Sequence, residues 1–180
     1  MKSFHQVTSI VMPLDMDNVD TDMIIPAQFL TKVDRKGYGE HVFQRLREQD
    51  THFVWHDVRY CGAEILLTRA NFGCGSSREH AVWALQQAGI QVVIAESYSD
   101  IFYNNAVKNG LLVISLSATE IEALMQKAKQ SVMAVAIDLL SQTMVVGTEN
   151  PIHFDYDPFR KACLLKGQDD LDYLLEATHG

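Results

Sequence analysis

Residues 63–97 read AEILLTRANFGCGSSREHAVWALQQAGIQVVIAES, and this stretch most constrains the fold. An apolar run of strand length (63–69) leads into a polar loop with two glycines. Apolar residues at helical spacing follow, ending at Gly89, and a second apolar run (90–97) has the character of a buried strand. A strand–loop–helix–strand unit is typical of an α/β domain.

The rest of the chain continues the alternation. SIVMPL near the start and GLLVISL (110–116) read as strands. GEHVFQRLR (39–47) predicts a short helix with Val42, Phe43 and Leu46 on one face. THFVWHDV reads as a strand. SATEIEALMQKAK opens with Ser117 and Glu120 spaced as a capping box, and its stripe Leu124, Met125 and Ala128 is expected in the core. Residues 132–147 predict two strands joined at Ser141-Gln142. DPFRKACLLKG offers Asp157 as N-cap, Pro158 at the first helical position and Gly167 as a stop. With 180 residues and no repeat, low-complexity tract or linker, one domain over 1–180 is expected.

Composition narrows the function. A formal charge of -8 without a basic stripe argues against nucleic acid as partner. Three widely spaced cysteines suit a reducing compartment better than a disulfide framework. The N-terminus has no apolar signal core and no run approaches a membrane span, so a cytoplasmic protein is expected.

The loop 71–80 concentrates the chemistry. Ser76 and Glu79 fit S-x-x-E and predict, on the plainest reading, a helix cap. That reading leaves Gly73 and Gly75 unused, and it leaves Arg78 in a first turn where the helix dipole disfavours a cation. An anion-binding turn explains both, with amides, dipole and guanidinium converging on a small carboxylate. Walker, dinucleotide and nucleophile-elbow patterns all fail here.

GCGSSREHA (73–81) resembles the signature of the aconitase superfamily's swivelling domain. NVDTDMIIPAQFL (18–30) is similar to the N-terminal motif of the small subunits of the 3-isopropylmalate dehydratases. IAESYSDIFYNNAVKNGLL (94–112) and DPFRKACLLKG (157–167) add to the likeness, which spans nearly the whole chain. It departs in a shortened stretch around 48–58, in Asn104 where glycine is usual, and in a divergent tail.

The resemblance implies an α/β fold of layered β/β/α architecture with its catalytic turn at a strand–helix junction. It implies the small subunit of a hydro-lyase of leucine biosynthesis, interconverting 2- and 3-isopropylmalate by dehydration and rehydration. Citramalate, dimethylmalate or homoaconitate dehydratases, and a non-catalytic regulatory or carboxylate-binding protein, are the alternatives. A [4Fe-4S] cluster is implied in a separate large subunit forming a heterodimer, with no cofactor or metal in this chain. Carried over, Ser76 is the base and Arg78 the carboxylate ligand, with Ser77 beside them. Asp20, Thr21 and Asp22 line the site, and Phe29 and Leu30 face the substrate's alkyl group. Lys32 could instead reach an anion. Glu79 and His80 take supporting roles, and Cys74 packs the turn.

Two metal readings fail on spacing. Asp15, Asp17, Asp20 and Asp22 suggest a calcium loop, but Asp20 and Pro26 stand where Gly and Glu are needed. His52 and His56, on a strand, would lie too far apart for one ion.

Overall fold

Strand β1 (Gln6–Pro13) divides the sheet into two unlike halves. The computed structural model describes residues 1–30, 35–168 and 175. On one side of β1 lie β2 (Ile65–Leu67), β3 (Val92–Ala95) and β4 (Leu112–Ser115), all parallel to it. On the other lie β5 (Ala134–Asp138), β6 (Thr143–Val146) and β7 (Ile152–His153), each antiparallel to its neighbour. The order is β4-β3-β2-β1-β5-β6-β7.

The parallel strands are covered on both faces, which is why they read as unbroken apolar runs. Met12, Leu66, Val93 and Val113 pack against helices α3 (Glu79–Gln87) and α4 (Asp100–Lys108). Val11, Ile65, Leu67, Val92 and Ile94 face the opposite way. They meet Leu124, Met125 and Ala128 of α5 (Ala118–Gln130), Leu164 of α6 (Pro158–Lys166) and the inner residues of β5 and β6. The sheet curls, so its antiparallel half shares this second core. The mixed α/β layering and the α5 stripe agree with expectation.

Several boundaries follow from local chemistry. Ser117 accepts from the Glu120 amide while Glu120 reaches back, closing the capping box. Asp157 caps α6, Pro158 opens it and Gly167 ends it at φ 71°. Gly89, at φ 101°, closes the end of α3 with its amide on the Gln86 carbonyl. Asn104 accepts from Arg160 Nη2 at 3.2 Å and ties α4 to α6.

Two expected elements are different. Residues 39–47 are not one helix: a 3-10 turn (Gly39–His41) ends at Val42, Phe43 turns left-handed at φ 53°, and α2 (Gln44–Gln49) starts afresh. This break lets both Val42 and Phe43 be fully buried. Residues 54–60 form two 3-10 turns (Val54–His56 and Val58–Tyr60) rather than a strand. Phe43 packs edge-on against Phe53 and Trp55, and tight turns bring those rings together where an extended strand would separate them.

Candidate active site

Because β1, β2 and β3 are parallel, the loops that follow them leave the same edge of the sheet. This is where ligands meet open α/β sheets. The loop after β2 carries 73–78, and its neighbours pin it from both sides. Gly73 N donates to Val19 O at 2.7 Å, and Ser99 Oγ donates to Gly73 O at 2.8 Å. Gly73 has φ 80°, and a Cβ there would lie 2.3 Å from the Phe102 ring. Both conditions demand glycine. A Cβ added at Gly75, φ 95°, would meet nothing nearer than 3.4 Å, so its backbone angle alone sets the requirement.

The segment after β1 closes on this turn. Asp20 caps the short helix α1 (Thr21–Ile24) by accepting from Met23 N, and it bridges in parallel to Cys74. Thr21 N donates to Cys74 O at 2.8 Å. Thr21 Oγ1, fully inside, donates to Ser76 O at 2.9 Å. Asp22 lies between two guanidiniums, bonded to Arg45 on α2 and 3.4 Å from Arg78 Nη1. Burial pushes the Asp22 carboxyl up, but the Ala27 amide and the two arginines outweigh this and hold it below the usual carboxylate range. Thus 20–22 and 76–78, more than fifty residues apart, form one cluster, with Asp20–Asp22 at a helix start instead of a free loop.

Helix α3 begins later than S-x-x-E predicts. Its N-cap is Arg78, with extended backbone and no side-chain cap bond, so the capping-box reading of Ser76 is overturned. Among the described residues no acceptor meets the backbone N–H groups from Ser76 through His80. Ser76 and Ser77 are exposed, and neither hydroxyl has a partner among the described residues. Arg78 is largely buried, held through Nη1 by Asp22 and by Ile25 O at 3.3 Å. Free amides, a helix start and a fixed guanidinium on one exposed turn are the groups an anion receptor requires.

Glu79 and His80 turn inward. Glu79 Oε1 accepts from Asn109 Nδ2 at 2.9 Å, which is why it does not return to cap its own helix. His80 lies edge-on to Tyr38 and Trp83. Burial pulls its imidazole below the usual range; Glu79 opposes the shift and Arg78 adds to it.

Phe29 and Leu30 stand apart from Ser76. They close a 3-10 turn (Ala27–Phe29) whose Ala27 amide donates to Asp22 Oδ1 at 3.3 Å. Both are half-buried against the core, and Phe29 stacks on His41 with 3.8 Å between ring centres. They are linked to Arg78 through Asp22, and no described contact joins them to Ser76. Lys32 lies outside the described residues. Arg45, which no motif marks, and Asn109, which lies in the stretch 94–112 without a role of its own there, are the contributors missing from the sequence reading.

The other acidic residues of 15–22 have separate partners. Asp15 binds Arg69 and Lys129, and Asp17 accepts from Ala70 N. His56 Nε2 is bonded to Arg47 O. The chain's donors do not suit an iron–sulfur cluster. Cys61 is exposed, Cys163 is buried, and the Cys74 thiol is pushed up by burial and by Asp20. Among the described residues no three His, Cys, Asp or Glu side chains gather as a metal site.

A family model described as the aconitase C-terminal domain matches residues 1–119. The 3-isopropylmalate dehydratase small subunit of Francisella tularensis subsp. novicida is 53% identical over 177 residues, covering 98% of this chain and 93% of that one. The protein of the same name from Dechloromonas aromatica is 47% identical, covering 97% and 90%. A crystal structure of 3-isopropylmalate dehydratase (leuD) from Methanocaldococcus jannaschii superposes with a TM-score of 0.71 at 29% identity, covering 96% and 95%.

Proposed function

The chain belongs to the 3-isopropylmalate dehydratase small-subunit family, and from that premise we propose how its residues serve the reaction. It is the small subunit of a hydro-lyase of leucine biosynthesis, an enzyme that interconverts 2-isopropylmalate and 3-isopropylmalate. As a small subunit it works with a large one.

The residue roles rest on one observation, the turn 76–80 with its unengaged amides, its two open hydroxyls and Arg78 fixed from α1. Ser76 Oγ takes the proton from one carbon of the substrate as hydroxide leaves its neighbour and a C=C bond forms. Water then adds back with the two positions exchanged, and Ser76 returns the proton to carbon. A serine is basic enough only as its alkoxide. The amides, the α3 dipole and Arg78 all favour that charged form. Arg78 binds a substrate carboxylate through N–H groups not used on Asp22 and Ile25, and Ser77 donates beside it. Asp20, Thr21 and Asp22 hold the turn and the guanidinium in place. The departing hydroxyl needs a Lewis acid, which a [4Fe-4S] cluster of the large subunit supplies when bound. Phe29 and Leu30 give the alkyl group an apolar wall and favour isopropylmalate over homoaconitate.

We read residues 1–180 as one swivelling domain, since both apolar clusters use the same sheet. Among the described residues no helix is long and apolar enough to cross a membrane. Three cysteines widely spaced in the sequence suit the cytoplasm better than an oxidising compartment.

Anaerobic reconstitution tests the reading. The isolated chain is expected to bind no iron and show no turnover. Mixed with a cluster-bearing large subunit, it should turn over isopropylmalate faster than citramalate or homoaconitate. Stoichiometric iron and sulfide in the isolated chain would move the cluster here. Equal rates on all three substrates would remove Phe29 and Leu30 from specificity.

A further inference from the structure

The N-terminus of α3 carries the catalytic turn, yet no side chain caps it. The loop before it is held by α1 and by Ser99, and the helix itself is bonded from outside by a residue at the end of α4. Asn109 caps α4 at its C-terminus, and its backbone amide is satisfied within that helix by Asn105 and Ala106. Its remaining polar atoms reach α3 or close α4. Nδ2 donates to Glu79 Oε1 at 2.9 Å and to Asn105 O at 2.8 Å. Oδ1 accepts from Trp83 Nε1 at 3.1 Å, and the backbone carbonyl accepts from Gln86 Nε2 at 2.7 Å.

Glu79, Trp83 and Gln86 lie at i, i+4 and i+7, one face of α3. The orientation of the amide follows from chemistry. An indole N–H can only donate, and the ionised carboxylate and the carbonyl can only accept, so oxygen must face Trp83 and nitrogen Glu79. A hydrophobic residue, an acid or a base of similar size cannot meet all three demands. Glu79 is covalently next to Arg78 and three residues from Ser76, so a shift at this contact moves both.

We propose that Asn109 is a positioning residue for the dehydratase reaction. It clips α3 to α4 so that Ser76 and Arg78 stand in register with the α1 side of the site. The proposal rests on the roles given above to Ser76 and Arg78. Its structural half, that Asn109 holds the turn still, stands independently of them.

The test reverses the polarity of the contact. Asn109→Asp places a carboxylate against Glu79, whereas Glu79→Gln with Asn109→Asp restores a donor–acceptor pair in the opposite sense. Hydrogen exchange of the isolated chain reads the structural half. Asn109→Asp should exchange faster across 81–88, where the α3 amides are bonded, with β1–β4 unchanged, and the reversed pair should return toward the wild-type rate, short of it by the lost bond to Asn105 O. In the reconstituted enzyme, turnover per assembled complex should fall about 10- to 100-fold in Asn109→Asp, with KM changed less, and recover most of that loss in the reversed pair.

Wild-type exchange across 81–88 in Asn109→Asp overturns the clip. Faster exchange with unchanged turnover per complex overturns its role in the reaction. If Asn109→Asp does not fold, the reversed pair must fold; failure of both overturns the proposal, because polarity is then not what the contact supplies. A wild-type chain that exchanges slowly at 81–88 but never turns over isopropylmalate with any large subunit counts against the function instead, and the exchange arm still decides the clip.

Discussion

At Ser76 a cap and a base predict different variants. The cap is excluded by geometry, since α3 starts at Glu79 with Arg78 as its N-cap. Ser76→Ala should therefore leave stability within about 0.5 kcal/mol, as for other exposed sites. Turnover of the assembled enzyme should still fall on the order of 10²–10⁴-fold. Arg78→Lys should mainly raise KM, because an ammonium cannot offer a planar fork to a carboxylate while also holding Asp22 and Ile25. Melting temperature, kcat and KM measured together decide the matter, and a stable Ser76→Ala enzyme with near-normal kcat removes Ser76 from the reaction. The residue types of this cluster were legible in the sequence, but their partners were not. S-x-x-E is a valid local signal for a cap. It fails here because a residue 30 positions away, Asn109, offers Glu79 a better partner. Arg45 was invisible for the same reason, since its link to Asp22 exists only once α2 packs on α1.

Elements whose ends are set by neighbouring residues were readable. The Ser117–Glu120 box, the Asp157-Pro158 start and the Gly89 and Gly167 stops all depend on contacts within a few residues. Residues 39–60 were misread because their conformation answers to the Phe43–Phe53–Trp55 cluster and not to local periodicity. The 73–78 turn lies between these cases. Gly73 and Gly75 both announce a turn, but they should respond differently to a methyl group. Gly75→Ala meets only the cost of left-handed backbone, roughly 1–2 kcal/mol. Gly73→Ala adds a collision with Phe102 and should cost about 1–3 kcal/mol more. Denaturant midpoints of the two variants are the check. Equal losses would mean that α4 does not press on this turn as the 2.3 Å approach requires.

At the scale of the whole molecule, a surface network joins the two halves of the chain. Asp15, after β1, binds Lys129 of α5 at 2.7 Å and Arg69, and Arg69 also meets Glu122 of α5. The Lys129 and Arg69 hydrogen bonds, against some opposition from burial, hold the Asp15 carboxyl below its usual range. A depressed carboxyl pKa stabilises the fold fully above about pH 4 and loses that contribution as pH falls through the folded value. Melting temperature between pH 7 and pH 3 should therefore drop more steeply in the wild type than in Asp15→Asn. Parallel curves would show that the network does not couple to folding. The α/β class was legible, because alternating apolar runs and helical stretches report layering. Strand order was not, since nothing local tells β1 to pair with β5.

The bond from Thr21 Oγ1 to Ser76 O spans 55 residues, and it exists only when β1 and β2 lie side by side. No fragment or early local structure can contain the site, because loop closure over that span must come first. In a refolding experiment, regained activity would then time the completion of the parallel sheet, not the appearance of helices. A nascent chain would carry all its α3 residues well before 20–22 and 76–78 could meet.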